Sequence, residues 1–128
     1  MKTYFIALHF FLALVISGFS QETRTEESSE AQKELLFFSN NGCGKCSLAQ
    51  NYFEEHEIPF TKYAVKANRP LMYQYVNKKP RAKNTGVGYP VLVYGDSVYF
   101  SISNMSVTLK EIEQMMKADG LLETKEEQ

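Results

Sequence analysis

The chain has 128 residues, a net charge of -1 and two cysteines. That length holds one domain, and two cysteines are too few to staple a small scaffold. The near-neutral charge gives no electrostatic case for nucleic acid, which is excluded as a partner.

Residues 1–20 read as a secretory signal peptide: Lys2 gives the positive start, an apolar run from Phe5 to Ile16 is broken only by His9, and Gly18 and Ser20 are small residues at a cleavage site. The run falls short of the roughly 20 apolar residues that a membrane span needs, so cleavage after Ser20 and export to the periplasm or the extracellular space is expected. Retention of the segment as an anchor is the alternative. Residues 21–34 are polar and rich in Glu, Ser and Thr, and read as a flexible tether. Its end, residues 31–34, is expected to form a helical turn leading into the first strand.

Leu35-Leu36-Phe37-Phe38 is a short apolar run bounded by Asn40-Asn41-Gly42, as in a buried strand. From Cys46 to about His56 the pattern is helical, with Leu48, Ala49, Tyr52 and Phe53 on the expected buried face and Gln50, Asn51, Glu54 and Glu55 opposite. Ile58-Pro59 ends the helix. Residues 60–65 alternate as a strand, so strand, helix and strand form a βαβ unit with parallel strands. Arg69-Pro70 opens a second helix whose Leu71, Met72, Tyr75 and Val76 form a core stripe. Residues 78–83 are a basic loop: a solvated surface by default, or a device steering an acidic partner. Gly86-Val87-Gly88 loosens the chain before Tyr89-Pro90. Val91 to Tyr94 and Ser97 to Phe100 form an antiparallel hairpin about Gly95-Asp96, with Val98 and Phe100 on one face. Thr108 and Glu111 match a capping box for a last helix with Leu109, Ile112, Met115 and Met116 buried. Gly120 stops it, and residues 119–128 are a charged tail. The class is α/β, the element order βαβα-ββα, the domain residues 35–118.

Both cysteines lie in Cys43-Gly44-Lys45-Cys46, between the first strand and the first helix. A Cys-x-x-Cys so placed presents a reactive dithiol. The attacking species is the thiolate, which unpaired N–H groups and the positive end of a helix dipole stabilise. Lys45 adds a cation, and Gly42 and Gly44 leave the first sulfur uncovered. Cys43 is therefore the expected attacker and Cys46, a turn further in, the resolving thiol. Three other readings compete. A bridge across two residues closes too small a loop to stabilise much. Zinc needs about four ligands, and beyond the cysteines only His9 and His56 are on offer. The thiols could also be idle.

The element order, the dithiol at the first helix start and the x-Pro before the third strand together resemble the thioredoxin fold, and more closely the glutaredoxin family, over residues 35–118. The resemblance implies a four-stranded mixed sheet with helices on both faces. It implies Cys43 as attacker, Cys46 as resolver, a cis peptide bond before Pro90, and Tyr89 offering its backbone to a substrate like an added strand. Gly44, Lys45, Tyr89 and Pro90 are then the substrate-binding set, with no metal. The family's lysine three residues before the first cysteine is Asn40 here. Its Thr-Val before the proline is Gly88-Tyr89. Its Gly-Gly and Asp-Asp glutathione positions are Tyr99-Phe100 and Ile102-Ser103. No bound cofactor is expected, and these departures argue against glutathione. Phe53 to Phe60 also looks like the arsenate-reductase-like and Spx-type branch of the fold, but only Arg69 and Arg81 could serve its oxyanion chemistry. The expected function is a monomeric thiol–disulfide oxidoreductase of the cell envelope. It would act on a protein or small-molecule disulfide, as an oxidant or isomerase, or kept reduced by a membrane-bound electron donor. The alternative is a non-catalytic binding module with its dithiol oxidised.

Overall fold

The structure, a computed structural model, describes residues 33–82 and 84–123. The signal-peptide reading, most of the tether and the last five residues of the tail lie outside the described residues.

Seven elements follow in order: β1 (Leu35–Ser39), α1 (Gly44–Glu55), β2 (Thr61–Ala64), α2 (Val65–Val76), β3 (Val91–Tyr94), β4 (Ser97–Tyr99) and α3 (Met105–Ala118). They form an α/β unit around one mixed sheet in the order β2-β1-β3-β4. β1 and β2 are parallel; β1 with β3, and β3 with β4, are antiparallel. The unbroken apolar run of β1 has a simple cause: it is an inner strand, covered on both faces.

The register sorts the side chains. Phe37 pairs with Lys62 on one side and Leu92 on the other, and Leu92 pairs with Tyr99, so these residues share a face. On that face Leu35, Phe37, Leu92 and Tyr94 pack with Cys46, Ala49 and Phe53 of α1 and Leu109, Ile112 and Met116 of α3. Phe37 is fully buried and meets Phe53 and Phe60 edge-on, with centroids 6.0 and 5.6 Å away. On the opposite face Leu36, Phe38, Val91 and Val93 pack under Val65, Met72 and Val76 of α2, with Val98 and Phe100 alongside.

Several boundaries differ from the sequence reading. Helix α1 begins at Gly44, two residues early, because Cys43 itself caps it. Leu48 is 59% exposed rather than buried. The stripe facing the sheet runs through Cys46, Ala49 and Phe53, and Leu48 sits about 100° around the helix from Ala49. Val65 opens α2 instead of closing β2. The proline signal marks a kink within α2, where Asn68 has non-helical φ/ψ (-124°, 23°) and its side-chain amide donates to Ala64 O at 2.9 Å. Pro70 lacks an N–H and disfavours helical geometry just before it, so the helix breaks there and restarts. Helix α3 starts three residues before Thr108: Asn104 is the cap, its Oδ1 accepting from Val107 N at 3.2 Å, and the Thr108 hydroxyl donates to Asn104 O. Asn is among the best N-caps, so it takes the role first.

Gly120, at φ 73°, closes α3 as expected: its N–H bonds Lys117 O and the Leu121 N–H bonds Met116 O, a Schellman ending. The chain then stays packed, with Leu121 and Leu122 against the α1/α3 side of the core. The Tyr94 hydroxyl donates to Asp119 at 2.6 Å, and Lys33 pairs with the same carboxylate at 3.1 Å.

Glu113 clasps α1 to α3. The Tyr52 hydroxyl donates to it, His56 Nδ1 lies 3.2 Å away, and Lys117 Nζ 2.7 Å. The Tyr52 and His56 rings stack at 4.0 Å. Burial alone would raise the Glu113 carboxyl, but hydrogen bonds from Lys117, Tyr52 and His56 outweigh it and hold the group at about 2. A carboxylate lowered on folding stabilises the protein above its unfolded pKa, and that contribution is lost as pH falls from about 4.5 toward about 2. Denaturant titrations should show stability dropping across this window, and Glu113→Gln should flatten the drop. Phe37→Ala should cost about 3–5 kcal/mol by the same measurement.

Candidate functional site

β1 ends where Asn40-Asn41-Gly42 turns the chain toward α1. Asn40 Oδ1 accepts the Asn41 N–H at 3.1 Å, and Gly42 has φ 69°, a conformation that side chains disfavour. Cys43 follows in extended conformation (φ -96°, ψ 106°) as the N-cap of α1. Its Sγ accepts the Cys46 N–H at 3.1 Å. A sulfur thus fills the place where a serine or aspartate oxygen usually meets the third N–H of a helix.

Cys43 and Cys46 are joined in a disulfide with Cα atoms 5.2 Å apart. Cys43 is half-buried, while Cys46 is 3% exposed and belongs to the core under α1. Of the two sulfur-bearing residues, Cys43 is the one a substrate can reach. Gly44 is helical, and a Cβ there would meet nothing within 4 Å, so the close-turn argument applies to Gly42 alone. Lys45 Nζ donates to Ile102 O at 2.6 Å, tying the start of α1 to the segment before α3.

The cysteines share a polar cleft of about 400 Å³ with Asn40, Asn41, Gly44, Gln50 and Lys62. Lys62 Nζ donates to Gln50 Oε1 at 2.7 Å, and Gln50 Nε2 donates to Glu54 Oε1 at 2.8 Å. Lys62 and Gln50 were not foreseen as site residues. The signal was there: once β2 runs parallel to β1, Lys62 shares a face with Phe37 and points to the α1 side.

Of the expected set, Cys43, Gly44 and Cys46 line the cleft; Lys45, Tyr89 and Pro90 are not among its walls. The Tyr89–Pro90 bond is cis. Tyr89 packs against the core on both faces of the sheet, sharing the α1/α3 side with Cys43, and Pro90 is fully buried. Among the described residues Tyr89 makes no backbone hydrogen bond. Far from loosening the chain, Gly88 is a clamp: its N–H bonds Ser101 Oγ at 2.9 Å and its carbonyl accepts the Ser101 N–H at 3.0 Å. A Cβ on Gly88 would lie 2.9 Å from Ser101 Cα, so the close approach requires glycine.

Among the described residues no group of three or more His, Cys, Asp or Glu could hold a metal ion. His56 caps the far end of α1, about 18 Å from the cysteines by helix rise. No described helix is long and apolar enough to cross a membrane.

The chain matches no family model, no curated protein and no solved structure.

Gly88→Ala should destabilise the protein by about 1–3 kcal/mol, because the added methyl must push two hydrogen-bonded backbones apart. Ser101→Ala, which removes one of the two bonds without overcrowding, should cost less. Denaturant midpoints of the two variants check the order.

Proposed function

We propose that this chain is a thiol–disulfide oxidoreductase with a thioredoxin-like, glutaredoxin-like architecture, working in an exported compartment. One observation carries the reading: the half-exposed Cys43 sulfur accepts a backbone N–H at the first turn of α1, while its partner Cys46 is sealed in the core. On reduction, that N–H and the helix dipole favour the Cys43 thiolate over the thiol. Such surroundings bring a cysteine from about 8.5 into a range of roughly 3.5–7.5.

The exchange balances without an outside reagent. The Cys43 thiolate attacks one sulfur of a substrate disulfide; a bond forms between them, and the other substrate sulfur leaves as a thiolate. The Cys46 thiol gives its proton to solvent and attacks Cys43. The Cys43–Cys46 disulfide forms, and the second substrate sulfur departs as a thiolate. The substrate is reduced by two electrons and the dithiol oxidised by two. Run in reverse from the joined pair, the same steps oxidise a substrate dithiol.

The sheet order, the helices on both faces and the cis Tyr89–Pro90 bond support the architecture. The unpaired Tyr89 backbone supports its role as a docking edge for an extended segment. Lys45 supports the site by position, holding the start of α1 to Ile102. Glutathione is disfavoured. At the family's binding positions, Tyr99 donates to Glu111, Phe100 packs on the α2 side, and Ile102 is buried. A protein disulfide is the better substrate. One observation favours the second reading, a non-catalytic module: the cysteines are already bonded to each other.

Cys43→Ser should abolish exchange with a protein disulfide. Cys46→Ser should accumulate a mixed disulfide through Cys43, visible on non-reducing gels and identifiable by mass spectrometry. Absence of any trapped species, together with full activity of the Cys43→Ser protein, would remove the oxidoreductase reading and leave the module.

A further inference from the structure

Charge is segregated along the strand axis. The register pairs Ser39 with Ala64 and Leu92 with Tyr99, so the end of β1 that carries the dithiol also carries the start of α2, the start of β3 and the exit of β4. From Leu35 to Phe53 the only charged residue is Lys45; from Thr61 to Val76 the charged residues are Lys62, Lys66 and Arg69. From Asn84 to Tyr94, and again from Ser97 to Leu109, there is none. These stretches therefore carry four exposed cations and no carboxylate; two acids reach them from outside, Glu54 through Gln50 and Glu111 through the Tyr99 hydroxyl.

The acids lie elsewhere. The first on α1 is Glu54, about 12 Å along the helix from Cys46, its carboxylate accepting from the Gln50 amide that also holds Lys62. All three described ion pairs sit toward the opposite end, at Glu113 and Asp119. Lys45 is held by the carbonyl of Ile102 and Lys62 by the amide of Gln50, with Glu54 on the far side of that amide. Both lysines are positioned by neutral partners and not by a carboxylate. The basic loop, by contrast, is engaged locally: Lys78 over Tyr75 and Arg81 over Tyr73, with Arg81 bound to Asn77 and Thr85. Its Lys79 and Pro80 line a surface pocket with Tyr99, Phe100 and Ile102.

We infer that the disulfide this site exchanges with lies in an acidic segment of a protein, whose Asp and Glu residues flanking the cystine meet Lys45, Lys62, Lys66 and Arg69. Only Lys62 lines the cleft itself; the other three cations stand outside it on α1 and α2. Charge spread beyond the cleft favours an extended chain over a small anion. The inference rests on the exchange reaction proposed above.

The test uses the reduced protein and three synthetic peptides that differ only in the residues beside one intramolecular disulfide: glutamates, lysines or uncharged residues. At low ionic strength the acidic peptide should react at least about tenfold faster than the basic one, and high salt should collapse the ratio. Lys62→Gln/Lys66→Gln/Arg69→Gln should bring the ratio toward one, and Lys66→Gln/Arg69→Gln should lower it partway. Because the ratio is read within each variant, a general loss of activity does not disturb it. Reaction with the uncharged peptide at an acidic-to-basic ratio near one would overturn this inference and leave the oxidoreductase reading standing. So would a ratio that survives the triple substitution. A small anionic disulfide, dithiodipropionate, showing the same salt-sensitive gain over an uncharged analogue would overturn the extended-segment assignment. No exchange with any of the peptides would overturn both readings.

Discussion

The Cys46 N–H that donates to the Cys43 sulfur is the contact on which the proposed chemistry depends. It exists because three local conditions meet. β1 must end at Ser39, Gly42 must take a positive φ, and Cys43 must stay extended while Gly44 turns helical. The cap places one sulfur at the positive end of a helix dipole. One turn on, the same helix puts the second sulfur under the core with Ala49 and Phe53. Two cysteines of identical intrinsic chemistry become different because one caps the helix and the other packs beneath it.

The scaffold keeps that helix start at the surface. β1 is covered on both faces, so its end is held in place; α1 and α3 share one side of the sheet and α2 takes the other. Lys45 ties the head of α1 to Ile102, and Glu113 ties its foot to α3. The Gly88–Ser101 clamp fixes the approach to Tyr89 and Pro90 beside β3. The described ion pairs gather at the far clasp, whereas Lys45 and Lys62 near the dithiol are held by neutral partners.

Much of the fold was legible in the sequence because its signals are local. The apolar run of β1, the Gly95-Asp96 hairpin and the Gly120 stop each depend on a few adjacent residues. So did the proline in α2, although it marked a kink and not a start: the break needed Asn68, whose amide takes the Ala64 carbonyl. Leu48 was misplaced because the buried stripe of α1 is narrow, and neighbouring residues differ by about 100°. Thr108 looked like a cap because its capping box is real in pattern, but Asn104 stands first and wins. The site was half legible. The cysteines announce themselves; Lys62, Gln50 and Ser101 come to it from β2, the middle of α1 and the exit of β4. Only the strand register shows that they are neighbours of the dithiol or of the loop beside Pro90.

The proposed exchange depends on the state of one sulfur, and direct titration of the reduced protein tests it. The rate of alkylation, or thiolate absorbance, followed against pH in a Cys46→Ser background should give a Cys43 pKa below about 7.5. A value at or above about 8.5, that of a cysteine in water, would show that the cap contact does not stabilise the thiolate, and would contradict the central claim.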